Sequence, residues 1–178
     1  MGLLSRHEIL SALERLGQLA LDDGYTLQLV VVGGAAMVLG YNARPSTQDI
    51  DALFLPPPEA RIVRSWVKLI AIENNWPIDW LNDAAKGYLV GLSVGPLLWQ
   101  GPGIEVRQPA AVQLLAMKLA AWRDDVDIAD AAVLLRATAG TMARETVWRQ
   151  IAPFLLRGRE LKAQYAFDDL WESVYGTD

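Results

Sequence analysis

Cysteine is absent from the 178 residues, which excludes disulfides and thiolate metal sites. Histidine is nearly absent: the single His7 falls in the first turn of an expected helix with no partner in view, and reads as a capping or solvent-facing residue. Basic charge is in deficit, with 16 lysines and arginines against 21 acids and a net charge of -5. That balance does not mark a nucleic-acid binder, although a local basic patch could steer a polyanion to one face. No apolar run reaches about 18 residues, and the start MGLLSRHEIL lacks a basic region followed by an apolar core and a small-residue cleavage site. Neither a membrane span nor a signal peptide is expected, and the chain reads as cytoplasmic. Low-complexity tracts and internal repeats are missing too, and a composition 52% apolar and 21% charged describes a folding chain. The length suits one domain with a sizeable core, or a compact domain with a helical extension.

What is present begins with an amphipathic helix. Ile9, Leu10, Leu13, Leu16 and Ala20 recur at three- and four-residue steps, with Ser5 as N-cap and Asp22-Asp23-Gly24 as the stop. TLQLVVVGG reads as a buried strand closed by two glycines, and AAMVLGY as a short helix. Asp49 to Leu55 forms a second strand, ended by Pro56-Pro57-Pro58, and Glu59 to Asn74 a helix. Glycine and proline break residues 76–100 into loop, short helix and one or two strands. GIEVRQ is a further strand before a helix opened by Pro109. Helices follow at Val112 to Arg123, Val126 to Ala137, Thr141 to Leu156 and Glu160 to Tyr175. The pattern predicts an α/β or α+β core over 1–108 and a helical C-terminal portion over 109–178, packed as two parts or as one continuous domain.

RPSTQDIDALFL raises the chemical question. Strand alternation sends Asp49 and Asp51 to one side, β-carbons ~6.5–7 Å apart, with Leu53 and Leu55 continuing that interior face. Two carboxylates crowded there repel unless a cation lies between them. A divalent metal would serve; alternatively, the strand begins in solvent and the aspartates cap its wet end. Gly33-Gly34 ends a strand where a helix begins, a place for phosphate. Arg44, Ser46 and Thr47 add a guanidinium and two hydroxyls able to contact triphosphate oxygens.

VVGGAAMVLGYNARPSTQDIDALF resembles the signature of the DNA polymerase β-type nucleotidyltransferase superfamily, a glycine-led turn followed by two metal-binding aspartates on the next strand. WPIDWLND and GIEVRQPAAVQLLAMKLAAWRDDVDIADAAVLLR are similar to the AbiEii and MenT-like branch, toxins of type IV toxin-antitoxin systems, and its uncharacterised relatives. The resemblance implies a small mixed sheet flanked by helices, with Asp49 and Asp51 holding Mg2+, or Mn2+ in its place. It also implies Gly33, Gly34, Arg44, Ser46 and Thr47 at a nucleoside triphosphate. The superfamily commonly has serine where this chain has Gly34, so that hydroxyl is absent or comes from Ser46 or Thr47. A third carboxylate often comes from a neighbouring strand, and Glu105 is the candidate by strand position; as an exposed residue alternating with Ile104 and Val106 it needs no such role.

Between Ala110 and Trp122 only Gln113 and Lys118 are polar, so this helix should be buried and Lys118 needs an anion or an escape to water. The resemblance makes Lys118 an active-site residue that binds the triphosphate or assists the leaving group. It likewise assigns nucleotide contacts to Arg123 and Asp130 and a catalytic or orienting part to Asp127. Asp124 or Asp125 would cap the following helix. Trp80 lies in a recurrent WLND context and could stack on a base or pack in the core. The expected activity is transfer of a nucleotide to an acceptor hydroxyl, by resemblance the 3′ end of tRNA, in a toxin with a cognate antitoxin protein. The alternatives are a catalytically quiet nucleotide-sensing or protein-binding relative, and a purely structural module.

Overall fold

A computed structural model describes residues 2–123 and 125–176. The chain forms two compact units: residues 1–86 with 95–108, and residues 87–94 with 109–178.

The first unit is a sheet with helices. Ser5 caps α1 (Arg6–Asp22) in the expected place, and Glu8 reaches back to the Ser5 N–H to complete a capping box. Ile9, Leu13, Leu16 and Ala20 form the buried stripe. β2 (Leu27–Val31), α2 (Gly33–Leu39), β4 (Ile50–Phe54) and α3 (Ala60–Asn74) follow the sequence reading to within a residue or two. Three further strands, β5 (Leu81–Asn82), β6 (Leu97–Gly101) and β7 (Ile104–Arg107), follow, with a 3₁₀ turn at Ala84–Tyr88.

These make a mixed sheet in the order β5-β4-β2-β7-β6. β2 sits at its centre, antiparallel to β4 with Val30 opposite Leu53, and parallel to β7 with Gln28 opposite Glu105. Gln28 is exposed near the start of the strand, but Leu29, Val30 and Val31 are buried whichever face they point to, which explains the apolar run there.

One feature was absent from the sequence reading. Leu4–Ser5 (β1) pairs antiparallel with Ser46–Thr47 (β3), Leu4 opposite Thr47. Two-residue strands carry no periodicity, so only the fold reveals them. Arg6 extends the same junction by donating to the Val38 and Leu39 carbonyls at the end of α2 (3.2 and 2.7 Å).

The second unit is helical: α4 (Ala111–Ala121), α5 (Asp125–Ala139), α6 (Arg144–Ile151), a 3₁₀ turn at Ala152–Phe154, and α7 (Glu160–Tyr175). Leu114, Leu115 and Leu119 of α4 are buried with Leu134, Leu135, Val147, Ile151, Phe167 and Leu170. The expected helix 112–123 stops early because Trp122 turns left-handed, with φ at 38°. The expected run Thr141–Leu156 divides into α6 and the 3₁₀ turn, the second of which contains Pro153. Gln113 is fully buried and fully used: it accepts from the Ser93 N–H and hydroxyl and donates to the Val90 and Gly91 carbonyls. Segment 87–94 is thereby fastened to the start of α4, an association the sequence did not disclose. Among the described residues no helix is long and apolar enough to cross a membrane.

Candidate functional site

The site in the first unit is built on β4 and the turn after β2. Asp51 is the second residue of β4 and Asp49 stands just before its start. The β4 register anchors them, because the Val32 N–H donates to the Asp51 carbonyl (2.9 Å). Gly33 then takes a left-handed φ of 55°, where L side chains are strained, and any Cβ on it would stand 3.2 Å from Asp51 Oδ2. The glycine therefore brings bare backbone against the carboxylate.

Gly34 is required for a different reason. A Cβ there would overlap Thr47 Oγ1 and lie 3.1 Å from Arg44 Nη2. The threonine hydroxyl thus occupies the space a side chain at position 34 would need, and the Arg44 guanidinium flanks it. Of the two hydroxyls expected near the turn, that of Thr47 is the one nearest the place of a position-34 side chain; Ser46 precedes it on the two-residue strand, where successive side chains alternate faces. Thr47 is buried, held opposite Leu4.

Asn82, on edge strand β5, donates to Asp49 Oδ2 (3.0 Å). Its own side chain is fixed by the Ala84 N–H, which donates to Oδ1 (2.9 Å). Nothing in WLND itself sets Asn82 apart. Its parallel alignment opposite Asp51 is a long-range fact with no local signature.

Glu105 does not join the aspartates. It lies opposite Gln28, four residues before the Val32 position that faces Asp51, hence about 13 Å away along the strand direction alone. It instead forms an ion pair with Arg107 (2.5 Å). Among the described residues no group of three or more His, Cys, Asp or Glu side chains could hold a metal. The hard oxygen donors Asp49 and Asp51 remain a fitting pair for Mg2+, which takes one or two protein carboxylates and fills its other positions from substrate and water.

The second unit holds the other expected residues in a buried ionic cluster. Lys118 Nζ lies 2.7 Å from both Asp127 Oδ1 and Asp130 Oδ2, and all three residues are buried. Arg123 approaches Asp127 Oδ2 through its side chain (3.0 Å) and its backbone N–H (3.3 Å). The lysine does not snorkel to the surface; two carboxylates one turn apart on α5 receive it. Burial pushes the Asp127 carboxyl up, but hydrogen bonds from Arg123 and Lys118, with their charges, outweigh it and hold the group below its ordinary value. Asp125 opens α5, while Asp124 lies outside the described residues. Trp80 is fully buried, donating to the Val67 carbonyl (2.9 Å) and packing on Trp76, so it belongs to the core.

A family of nucleotidyltransferases of unknown function (DUF6036) has a model that matches residues 8–134. The chain belongs to that family. No curated protein and no solved structure was found to match it. The DUF6036 match spans the paired aspartates, the double-glycine turn and the Lys118 cluster, and leaves α6 and α7 outside.

Proposed function

We propose that the chain transfers a nucleotide from a nucleoside triphosphate to an acceptor hydroxyl with Mg2+ or Mn2+ as cofactor. The observation that carries this reading is the convergence of Asp51, Thr47 and Arg44 on the side-chain-free Gly33-Gly34 turn. Asp49 and Asp51 would hold the metal, which supplies charge neutralisation at the attacking and leaving oxygens of an in-line displacement. The rest falls to the chain's own groups. Left-handed Gly33 before helical Gly34 presents backbone N–H groups without a Cβ in the way, a concavity suited to phosphate oxygens. Arg44 and Thr47, which flank the turn, would orient the triphosphate, while Ser46 pairs with Ser5 in the β1–β3 ladder. Asn82 fixes the orientation of Asp49. Little further acid-base chemistry is required when positioning and electrostatics carry phosphoryl-type transfer.

Within the helical unit, Asp127 and Asp130 hold the Lys118 ammonium, and Arg123 braces Asp127. The resemblance assigns Lys118 to the nucleotide, and on that reading the two aspartates are positioning residues. It also supplies the finer proposal of an AbiEii or MenT-like toxin that extends the 3′ end of tRNA and is opposed by an antitoxin protein. The quiet-relative alternative leaned on the missing serine at position 34. Thr47 Oγ1 now stands where that side chain would be, which favours the active reading.

Incubation of the protein with Mg2+, total RNA and each radiolabelled nucleoside triphosphate tests the proposal. Label should pass to RNA with wild type and not with Asp49→Ala. A wild type that labels nothing with any nucleotide, yet binds Mg2+-nucleotide calorimetrically, would restore the quiet relative.

A further inference from the structure

On the side of β4 away from the aspartates lies a cavity of about 530 Å3. Ala52 and Phe54 reach it because they alternate with Asp51 and Leu53 along the strand. Val63 and Val67 of α3 and Leu81 of β5 complete an almost wholly carbon lining. The volume is that of small-molecule pockets, which run about 300–1,000 Å3 and pair apolar walls with a few placed polar groups. Here those groups are cationic. Arg64 and Lys68, one turn apart on α3, both line the cavity, are exposed, and enter no ion pair among the described residues. Asp83 is the one acid in the lining. Two unneutralised cations beside an apolar chamber, in a chain with a net charge of -5, fit an anionic head on an apolar body.

The cavity also touches the candidate site through one short element. β5 has two residues: Leu81 enters the cavity wall, and Asn82, which borders the cavity, donates to Asp49 Oδ2. An occupant pressing on Leu81 acts on the strand that orients Asp49.

We infer that this cavity binds a small amphiphilic carboxylate and that its occupancy is sensed at Asp49 through β5. The second half rests on the nucleotidyltransferase reading; the first does not. An occupant shifts Asn82 and weakens Mg2+-nucleotide binding, and by reciprocity bound nucleotide weakens the occupant equally.

Isothermal titration of the full chain with decanoate tests the site. One-to-one saturation below the micelle concentration is expected. The R64Q/K68Q double variant, altered only at exposed positions, should lose roughly tenfold or more in affinity. Decanol, which has the chain without the charge, should bind both proteins alike. Absence of saturation, or equal decanoate affinity in the double variant, overturns the site. For the coupling, the Mg2+-nucleotide affinity is measured with and without saturating decanoate. A loss of roughly fivefold or more is expected, abolished in Asn82→Ala while decanoate still binds. Nucleotide affinity unmoved by bound decanoate overturns the coupling. A wild type that binds decanoate but no nucleotide overturns both the coupling and the nucleotidyltransferase reading, and leaves the carboxylate site standing.

Discussion

Asp49 and Asp51 share one proposed task, so Asp49→Ala and Asp51→Ala should each abolish RNA labelling, and the double variant should lose scarcely more. Each should fold, because removing one of two neighbouring carboxylates relieves repulsion. Thermal melts alongside the labelling assay check both statements. Gly34 gives a sharper test at the same scale. Gly34→Ser forces a side chain into the place of Thr47 Oγ1 and should cost about 1–3 kcal/mol of stability, the usual penalty of overpacking. Adding Thr47→Ala removes Oγ1 but leaves the Cβ of position 47 at 2.9 Å from the new one, so the double variant should recover part of the lost stability in urea unfolding; a double variant as unstable as Gly34→Ser would show that the Oγ1 overlap is not what costs stability. The aspartates and glycines were legible because strand alternation and double glycines are local signals. The choice of Thr47 over Ser46, and the role of Asn82, were not, since both depend on which strands pair.

At the scale of elements, α4 and α5 are joined by charge inside an apolar helix pair. Lys118→Ala leaves Asp127 and Asp130 buried without their shared cation, and should destabilise the helical unit by about 3–5 kcal/mol. Urea unfolding followed by tryptophan fluorescence would report it, and a loss of nucleotide affinity in this variant is interpretable only where the unit remains folded. The depressed Asp127 carboxyl also sets a pH dependence. Its contribution is fully present above the unfolded aspartate value of about 3.9 and disappears as pH falls through the lower folded value. Stability measured from pH 7 downward should therefore fall more steeply in wild type than in Asp127→Asn; parallel curves would mean that Asp127 does not carry this linkage. The helices themselves were readable from their apolar spacing. Lys118 was recognised as out of place in α4, but periodicity alone could not say that α5 supplies its counterions.

For the molecule as a whole, the toxin proposal makes a prediction that single residues cannot. Induction in a bacterial host should arrest growth, and Asp49→Ala expressed to the same level should not; extracted tRNA should carry 3′ ends longer by one or a few nucleotides. Normal growth with unaltered ends would remove the toxin role and leave the family membership intact. At this scale the order of helices and strands was legible, whereas the attachment of residues 87–94 to the helical unit was not, because it depends on Gln113 finding backbone partners about twenty residues earlier.

The parallel pairing of β2 with β7 has a consequence in time. β2 emerges early in synthesis, and one of its two neighbours, β4, follows soon after, but Leu27 cannot meet Ile104 until β7 has been made. Until then the most apolar strand of the sheet carries an open edge, and closing so long a loop is slow as well as entropically costly. On the ribosome, the first unit is therefore expected to remain protease-sensitive until β7 has cleared the exit tunnel, then to become resistant in one step, which stalled chains of graded length would time.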